Sequence, residues 1–290
     1  MIAFSWSDKL HLVDPLQRQD LADKTPDNRF HQRQTEVCRT LNLDRAVLNS
    51  ANILAMARPL IIAIDGPSGA GKSTLGRMLA RELGLLYIDT GSMYRAVALA
   101  VLESSINADD DIAVGSLASR VDIELAGDPD AMRVTLEGED VTDRIRDDDV
   151  THTSSIISTI PAVRRAMVKR QRELGQGGAV MNGRDIGTVV FPDATVKVFL
   201  TADLKERAER RLAEELEYNP SATYEETLAN IKDRDRRDTT RVDSPLVAAD
   251  DAVVIDSSGQ PIEKVFQRML AAVREKGGKA SERDEDQRPF

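Results

Sequence analysis

Apolar positions follow two regimes along the chain. Up to about residue 57, charged residues such as Arg18, Asp20, Asp23, Lys24, Asp27, Arg29 and Arg33 break every apolar run. From Arg58 onward, short continuous apolar runs alternate with stretches in which apolar residues recur every three to four positions. Leu60-Ile61-Ile62-Ala63-Ile64 is apolar and β-branched throughout, as a buried parallel strand should be. Thr74 to Leu83 places Leu75, Met78, Leu79 and Leu83 on one helical face. The same reading gives strands at 86–88, 179–181, 195–200 and 252–256. Helices follow from the capping run Asp89-Thr90-Gly91-Ser92, at 203–217, from about Tyr224, and at 261–276.

One segment has a different period. Val121 to Leu125 and Arg133 to Glu137 alternate every second residue across a Gly-Asp-Pro-Asp turn, and Glu139 to Val141 follow a second turn. This predicts an antiparallel unit of two or three strands. A short helix at 109–119 precedes it, and two helices at 150–160 and 161–174, broken at Pro161, follow it. The fold class predicted is therefore α/β: a five-stranded parallel sheet covered on both faces, with a small antiparallel β insertion.

Composition narrows the class of protein. Among 290 residues, 41% are hydrophobic and 30% charged, as in a water-soluble globular chain. No apolar run approaches the roughly 20 residues of a membrane helix, and the first residues lack a secretory pattern. The only cysteine, Cys38, excludes intramolecular disulfides and cysteine zinc sites and fits a reducing cytoplasm. His11, His31 and His152 are too scattered for a metal cluster. A formal net charge of −10 disfavours a nucleic-acid or anionic-membrane partner.

Candidate chemistry begins directly after the first strand. Gly66-Pro67-Ser68-Gly69-Ala70-Gly71-Lys72-Ser73, followed by Thr74, fits the phosphate-binding P-loop with the correct strand and helix on either side. Glycines let backbone N–H groups converge on phosphate oxygens, and the helix start adds partial positive charge. Lys72 is expected to reach the β- and γ-phosphates of a nucleoside triphosphate, and Ser73 to help hold Mg²⁺. An anionic ligand on an acidic chain requires basic side chains gathered in one cleft. Arg95, in the first turn of a helix, opposes the dipole there and is better explained by a facing anion. Asn182 to Gly187 lies at a strand C-terminus, where open α/β sheets place ligands. Arg207, Arg210 and Arg211 share one helix face, as do Arg234, Arg237, Asp238 and Arg241. A salt-bridged surface would account for both faces. Their place between the last two strands of a P-loop protein instead favours phosphate clamping by a mobile flap.

From about Arg58 to Lys276 the chain resembles the bacterial cytidylate kinase family, within the P-loop nucleoside monophosphate kinases. The resemblance rests on Gly66–Thr74, on Asp89-Thr90-Gly91-Ser92-Met93-Tyr94-Arg95, on Gly183 to Ala194, and on Arg234-Asp235-Arg236-Arg237-Asp238. It implies ATP-dependent phosphorylation of CMP and dCMP, with Lys72, Arg95, Arg184, Arg234 and Arg241 acting on the reacting phosphates. It implies that Thr90, Tyr94 and Arg95 lie along the CMP site and that Ser155, Arg164 and Asp185 read cytosine. Arg184 would share the CMP phosphate, and Arg234, Asp238 and Arg241 would meet sugar or phosphates. The β insertion would belong to the monophosphate-binding region. Asn182 departs from the family pattern, which is acidic there; a carboxylate would orient Mg²⁺ or its water, whereas Asn keeps the hydrogen bonding and drops the charge.

The organisation expected is a core of residues 58–89, 178–204 and 246–277, a CMP-binding region at 90–177 and a helical lid at 205–245. Residues 1–57 read as a disordered or non-native extension and residues 278–290 as a disordered tail. The reading is completed by a cytoplasmic monomer with CMP, dCMP and ATP as small-molecule partners. The alternatives are a kinase for UMP or a non-nucleotide acceptor, and a GTPase-like switch, against which the absence of an Asn/Thr-Lys-x-Asp motif argues.

Overall fold

The computed structural model describes residues 59–286, with side chains to Gly277. The expectations for residues 1–57 lie outside the described residues. In chain order, strand β1 (Ile61–Asp65) leads to helix α1 (Lys72–Leu83), β2 (Leu86–Asp89) and α2 (Thr90–Glu103). Helix α3 (Asp111–Arg120) precedes β3 (Ile123–Ala126), β4 (Arg133–Leu136) and β5 (Glu139–Asp140). A helical turn at Arg144–Arg146 enters α4 (Asp148–Ile157), then α5 (Pro161–Gly175) and β6 (Ala179–Gly183). A wide turn over Ile186–Val190 connects to β7 (Val196–Thr201), and helices α6 (Leu204–Glu215) and α7 (Tyr224–Thr240) precede β8 (Val253–Asp256) and α8 (Ile262–Asp286).

The five long-range strands form one parallel sheet in the order β2-β6-β1-β7-β8, as the apolar runs predict. Alternate residues of β1 serve opposite layers. Ile61 and Ala63 pack with Ile88, Met181 and apolar residues of α2 and α5. Ile62 and Ile64 pack with Val180, Val198, Leu200 and residues of α1 and α8. Both faces are covered, which is why the strands read as unbroken apolar runs; each fully buried aliphatic side chain contributes roughly 1.5–3 kcal/mol. Register aligns Asp65 with Gly183 and Asp89 with Asn182. The C-terminal ends of β1, β2 and β6 thus finish side by side.

The insertion is a three-stranded antiparallel sheet, β3-β4-β5. Glu137 and Gly138, with φ of 51° and 83°, supply the two successive positive values that a tight hairpin between β4 and β5 requires. Pro161 lies in the first turn of α5, where its missing N–H is no loss. Helix α8 continues through Asp286, past the Gly277-Gly278 pair at which the sequence reading ends the domain. Glycine lowers helix propensity by about 1 kcal/mol but, unlike proline, does not block the helix.

Helices α6 and α7 pack on each other, and their connection reaches across to the segment at 144–155. Arg146 Nη1 donates to Tyr218 Oη at 2.5 Å, with its guanidinium 5.5 Å from that ring's centroid. Asn219 Nδ2 donates to Asp148 Oδ2 at 2.9 Å, and Arg237 Nε to Ser155 Oγ at 3.1 Å. Among the described residues, no helix is long and apolar enough to cross a membrane.

Candidate active site

The P-loop is the turn from β1 into α1. Gly66 and Gly69 have φ of 149° and 74°. A Cβ at Gly66 would lie 2.0 Å from the Leu200 carbonyl oxygen, and one at Gly69 would lie 2.5 Å from that of Arg207. Conformation and close approach therefore both demand glycine. Helix α1 starts after Gly71 with no side-chain cap and no acidic residue in its first turn, an arrangement suited to an anion. Lys72 is buried, and its ammonium donates to the Pro67 carbonyl at 2.6 Å. Burial, reinforced by nearby Arg184 and Arg234, holds its pKa well below that of a free lysine.

At the end of β2, Asp89 caps α2 by accepting the Gly91 N–H at 3.0 Å and the Ser92 hydroxyl at 2.9 Å. Arg95 donates to Asp89 at 3.3 Å and to Ser92 Oγ at 2.8 Å. Burial opposes charge on Asp89, but Arg95 and the Ser92 and Gly91 donors outweigh it and hold the carboxyl below its usual range. Thr90 Oγ1 donates to the Asn182 carbonyl at 2.8 Å, fastening the start of α2 to β6.

The end of β6 carries two interlocked ion pairs. Arg184 Nε donates to Asp238 at 2.8 Å, and Arg164 Nη2 donates to Asp185 at 2.6 Å. Arg164 also donates to the Ser158 carbonyl at 3.2 Å, and its guanidinium lies 5.8 Å from the centroid of the Tyr94 ring. Arg241 is just beyond the end of α7 rather than on its face, donating to Asp238 at 3.2 Å and to the Ser244 carbonyl at 2.7 Å. Arg234 is pushed down to about 9, first by burial and then by Arg184.

One cavity unites these groups. Ser68, Gly69, Gly71, Lys72, Ser73 and Thr74 line its P-loop side, while Gly66, Pro67 and Ala70 shape the loop from behind. Thr90, Tyr94, Arg95, Arg164, Arg184, Asp185, Arg234, Asp238 and Arg241 line the rest. Seven cationic side chains, counting Arg211, meet four carboxylates there, so the acidic chain is locally basic as the P-loop requires. Arg95 Nε, Arg164 Nε and Arg241 Nη2 are buried without a hydrogen-bond partner. Unmet donors of this kind suit a ligand rich in acceptors.

Ser155 is the one predicted site residue set apart. Its hydroxyl accepts from Arg237, and it lines an adjacent cavity between α4 and α7. Ser154, Ser158 and Thr151 line the central cavity instead; helix pitch alone, without knowledge of which face of α4 is turned inward, could not select them. The clamp expected of the α6 arginines is only partly present. Arg207 donates to the Ala202 and Ser68 carbonyls and to Asp235, and Arg210 to Glu206 and Ser257. Arg211 alone of the three lines the cavity, and it too is paired, with Glu214 and Glu215. The salt-bridged reading holds for Arg207 and Arg210.

Ser73 Oγ accepts from Asn182 Nδ2 at 3.3 Å, and the buried Asn182 Oδ1 has no hydrogen-bond partner. An unpaired acceptor oxygen beside a hydroxyl fits a hydrated cation. Among the described residues no group of three or more His, Cys, Asp or Glu is placed to hold a metal, so an ion here would rest on Ser73 and on ligand oxygens.

The family model described as cytidylate kinase matches residues 62–275. The chain belongs to the cytidylate kinase family. A relative named cytidylate kinase from Geobacter sp. is 48% identical over 218 residues, covering 75% of this chain and 94% of its own length. That from Desulforamulus reducens is 50% identical over 218 residues, covering 74% and 97%. That from Bacillus subtilis is 44% identical over 222 residues, covering 76% and 99%. The match spans all the elements that build the cavity, from β1 into α8.

Proposed function

We propose that this chain transfers the γ-phosphoryl group of ATP to the phosphate of CMP or dCMP, giving ADP and CDP or dCDP. The observation that carries the reading is that a single cavity joins the P-loop lysine to the buried Arg164–Asp185 pair. Cytosine presents an N4 amino donor beside O2 and N3 acceptors. A carboxylate next to a guanidinium matches that edge; Asp185 accepts from N4, and Arg164 donates to the ring acceptors.

The acceptor phosphate is ionised at neutral pH, so its oxygen attacks without a general base. Catalysis then rests on in-line positioning and charge stabilisation. Lys72 leaves the Pro67 carbonyl to meet the donor's β- and γ-phosphates. Arg95 and Arg184 hold the acceptor phosphate. Arg234 and Arg241 add positive charge, and Asp238 suits a ribose hydroxyl while orienting Arg184. Thr90 and Tyr94 border the acceptor; Ser155 acts at one remove, through Arg237. Mg²⁺, resting on Ser73 and on phosphate oxygens, would neutralise charge on the transferring group.

Residues 205–245 act as a lid that excludes water, residues 90–177 bind the acceptor, and the remainder of 58–277 is the core. A cytoplasmic monomer completes the reading, supported by the single Cys38. The test is a coupled ADP-release assay with CMP, dCMP, UMP, AMP and shikimate, comparing ATP with GTP as donor. CMP and dCMP are expected to lead with ATP. Equal rates with UMP would overturn the assignment of Arg164 and Asp185, and ADP release that ignores the acceptor would overturn phosphoryl transfer to a nucleotide.

A further inference from the structure

Asp65 ends β1 and immediately precedes the P-loop, yet its side chain points away from phosphate chemistry. It is 5% exposed. Oδ1 accepts the Ile186 N–H at 2.8 Å and Oδ2 accepts the Gly187 N–H at 2.7 Å. Those two N–H groups open the wide turn that directly follows Arg184 and Asp185. The Asp185 carbonyl in turn accepts from Val189 at 2.8 Å and Val190 at 3.1 Å, so the whole turn hangs from this one segment of backbone. The fit is close: a Cβ at Gly187 would lie 3.1 Å from Lys197 Cδ and 3.4 Å from Asp65 Oδ2.

Stability alone does not explain a carboxylate here. Burial pushes the Asp65 carboxyl up to about 6, against the pull of the two backbone donors. A neutral Asn would avoid burying charge, but its single carbonyl oxygen could not accept from both N–H groups in this two-oxygen arrangement. Only a carboxylate can accept from the N–H groups of two successive peptides, one on each oxygen.

We propose that Asp65 is a positioning residue that fixes the acceptor-reading pair Arg184 and Asp185 against the P-loop. It touches neither nucleotide. Through the backbone of residues 186 and 187 it sets how far the acceptor's base and phosphate lie from the donor held one residue further along its own chain. Displacements of about 1 Å at such a site cost on the order of a hundredfold in rate. The inference rests on the acceptor assignment proposed above.

The test is steady-state kinetics of wild type and Asp65→Asn, varying CMP, UMP and ATP separately, with thermal unfolding of both proteins. The expected result is a folded variant whose KM for CMP rises about tenfold, as for one lost buried hydrogen bond, while its KM for ATP stays within about twofold. Discrimination of CMP from UMP shrinks in parallel. Equal rises in both KM values, or an unchanged KM for CMP, would overturn the proposal. Gly187→Ala, which crowds the turn against the Lys197 side chain beside an intact Asp65, is expected to give the same CMP-selective defect and decides the matter if Asp65→Asn fails to fold. A wild-type protein that forms no ADP in response to CMP would instead refute the kinase reading, so the two failures are distinguishable.

Discussion

Arg164 Nη2 donates to Asp185 Oδ2 at 2.6 Å, with Arg164 2% and Asp185 5% exposed. An ion pair this deeply buried gives little net stability while intact, but removing one partner strands the other charge. Arg164→Met is expected to lower stability by about 3 kcal/mol and to reduce kcat/KM for CMP more than for UMP. Denaturant unfolding and an acceptor series measure the two effects. Equal losses for every acceptor would mean that the pair supports the fold without reading the base.

Lys72 presents the reverse balance. Its ammonium is buried, donates to the Pro67 carbonyl, and feels Arg184 and Arg234 more than Asp238 and Asp89. Lys72→Met should abolish phosphoryl transfer while leaving the unfolding midpoint unchanged or raised, because an apolar side chain of similar length relieves a buried charge. Single-turnover assays and thermal unfolding of the same preparation check both halves.

Asn182 bears on the metal. Its Oδ1 is an unpaired acceptor beside Ser73. Asn182→Asp should fold normally and reach half-maximal activity at a lower Mg²⁺ concentration, since a full negative charge replaces a dipole. An Mg²⁺ titration identical to that of wild type would show that position 182 does not influence the metal.

Asp65 gives the stability of the chain a defined pH dependence. Its folded-state value of about 6 exceeds the ordinary 3.8, so between those values the folded protein binds a proton that the unfolded chain releases. Stability therefore rises as pH falls from about 6 towards 4, by about 3 kcal/mol at most, and the gain is lost again as pH rises through 6. The difference in unfolding free energy between wild type and Asp65→Asn isolates this group. It should move in favour of wild type from pH 7 to pH 4.5; a flat difference would mean that Asp65 titrates like an exposed carboxyl.

The sequence carried what is local. The P-loop, the Asp89 cap, Arg95 one turn further on, and Arg184-Asp185 at a strand end are set by adjacent residues and by the apolar runs that precede them. Contacts between distant segments were not legible. Arg207 reads as a phosphate clamp or a salt-bridged surface residue on a helix face, but its acceptor on the P-loop is the Ser68 carbonyl, 139 residues away. Ser155 and Ser154 are neighbours on α4, and only the packing of α4 against α2, with Arg237 of α7 on Ser155, decides which one enters the cavity. Asp65 follows the predicted strand Leu60–Ile64 with no role legible in the sequence, because its partners are main-chain groups that leave no mark in the amino-acid pattern.

The α6–α7 hairpin touches residues 144–155 through Arg146 with Tyr218 and Asp148 with Asn219 at its connection, and through Ser155 with Arg237 near the end of α7. The first two contacts are exposed, and each is worth little by itself; Asp238 with Arg184 and Arg207 on the Ser68 carbonyl also tie the hairpin to the core. Asp148, Asn219, Ser155 and Arg237 line the cavity beside the central one, and Ser68, Thr151, Arg211 and Arg234 border both. On the proposed reading, in which the hairpin covers the donor and touches the acceptor-binding region, a nucleotide that settles one side favours the other, and thermodynamic reciprocity then requires the same factor in both directions. The affinity measured for either nucleotide is then a property of the pair, and a binding constant for one carries meaning only alongside the concentration of the other.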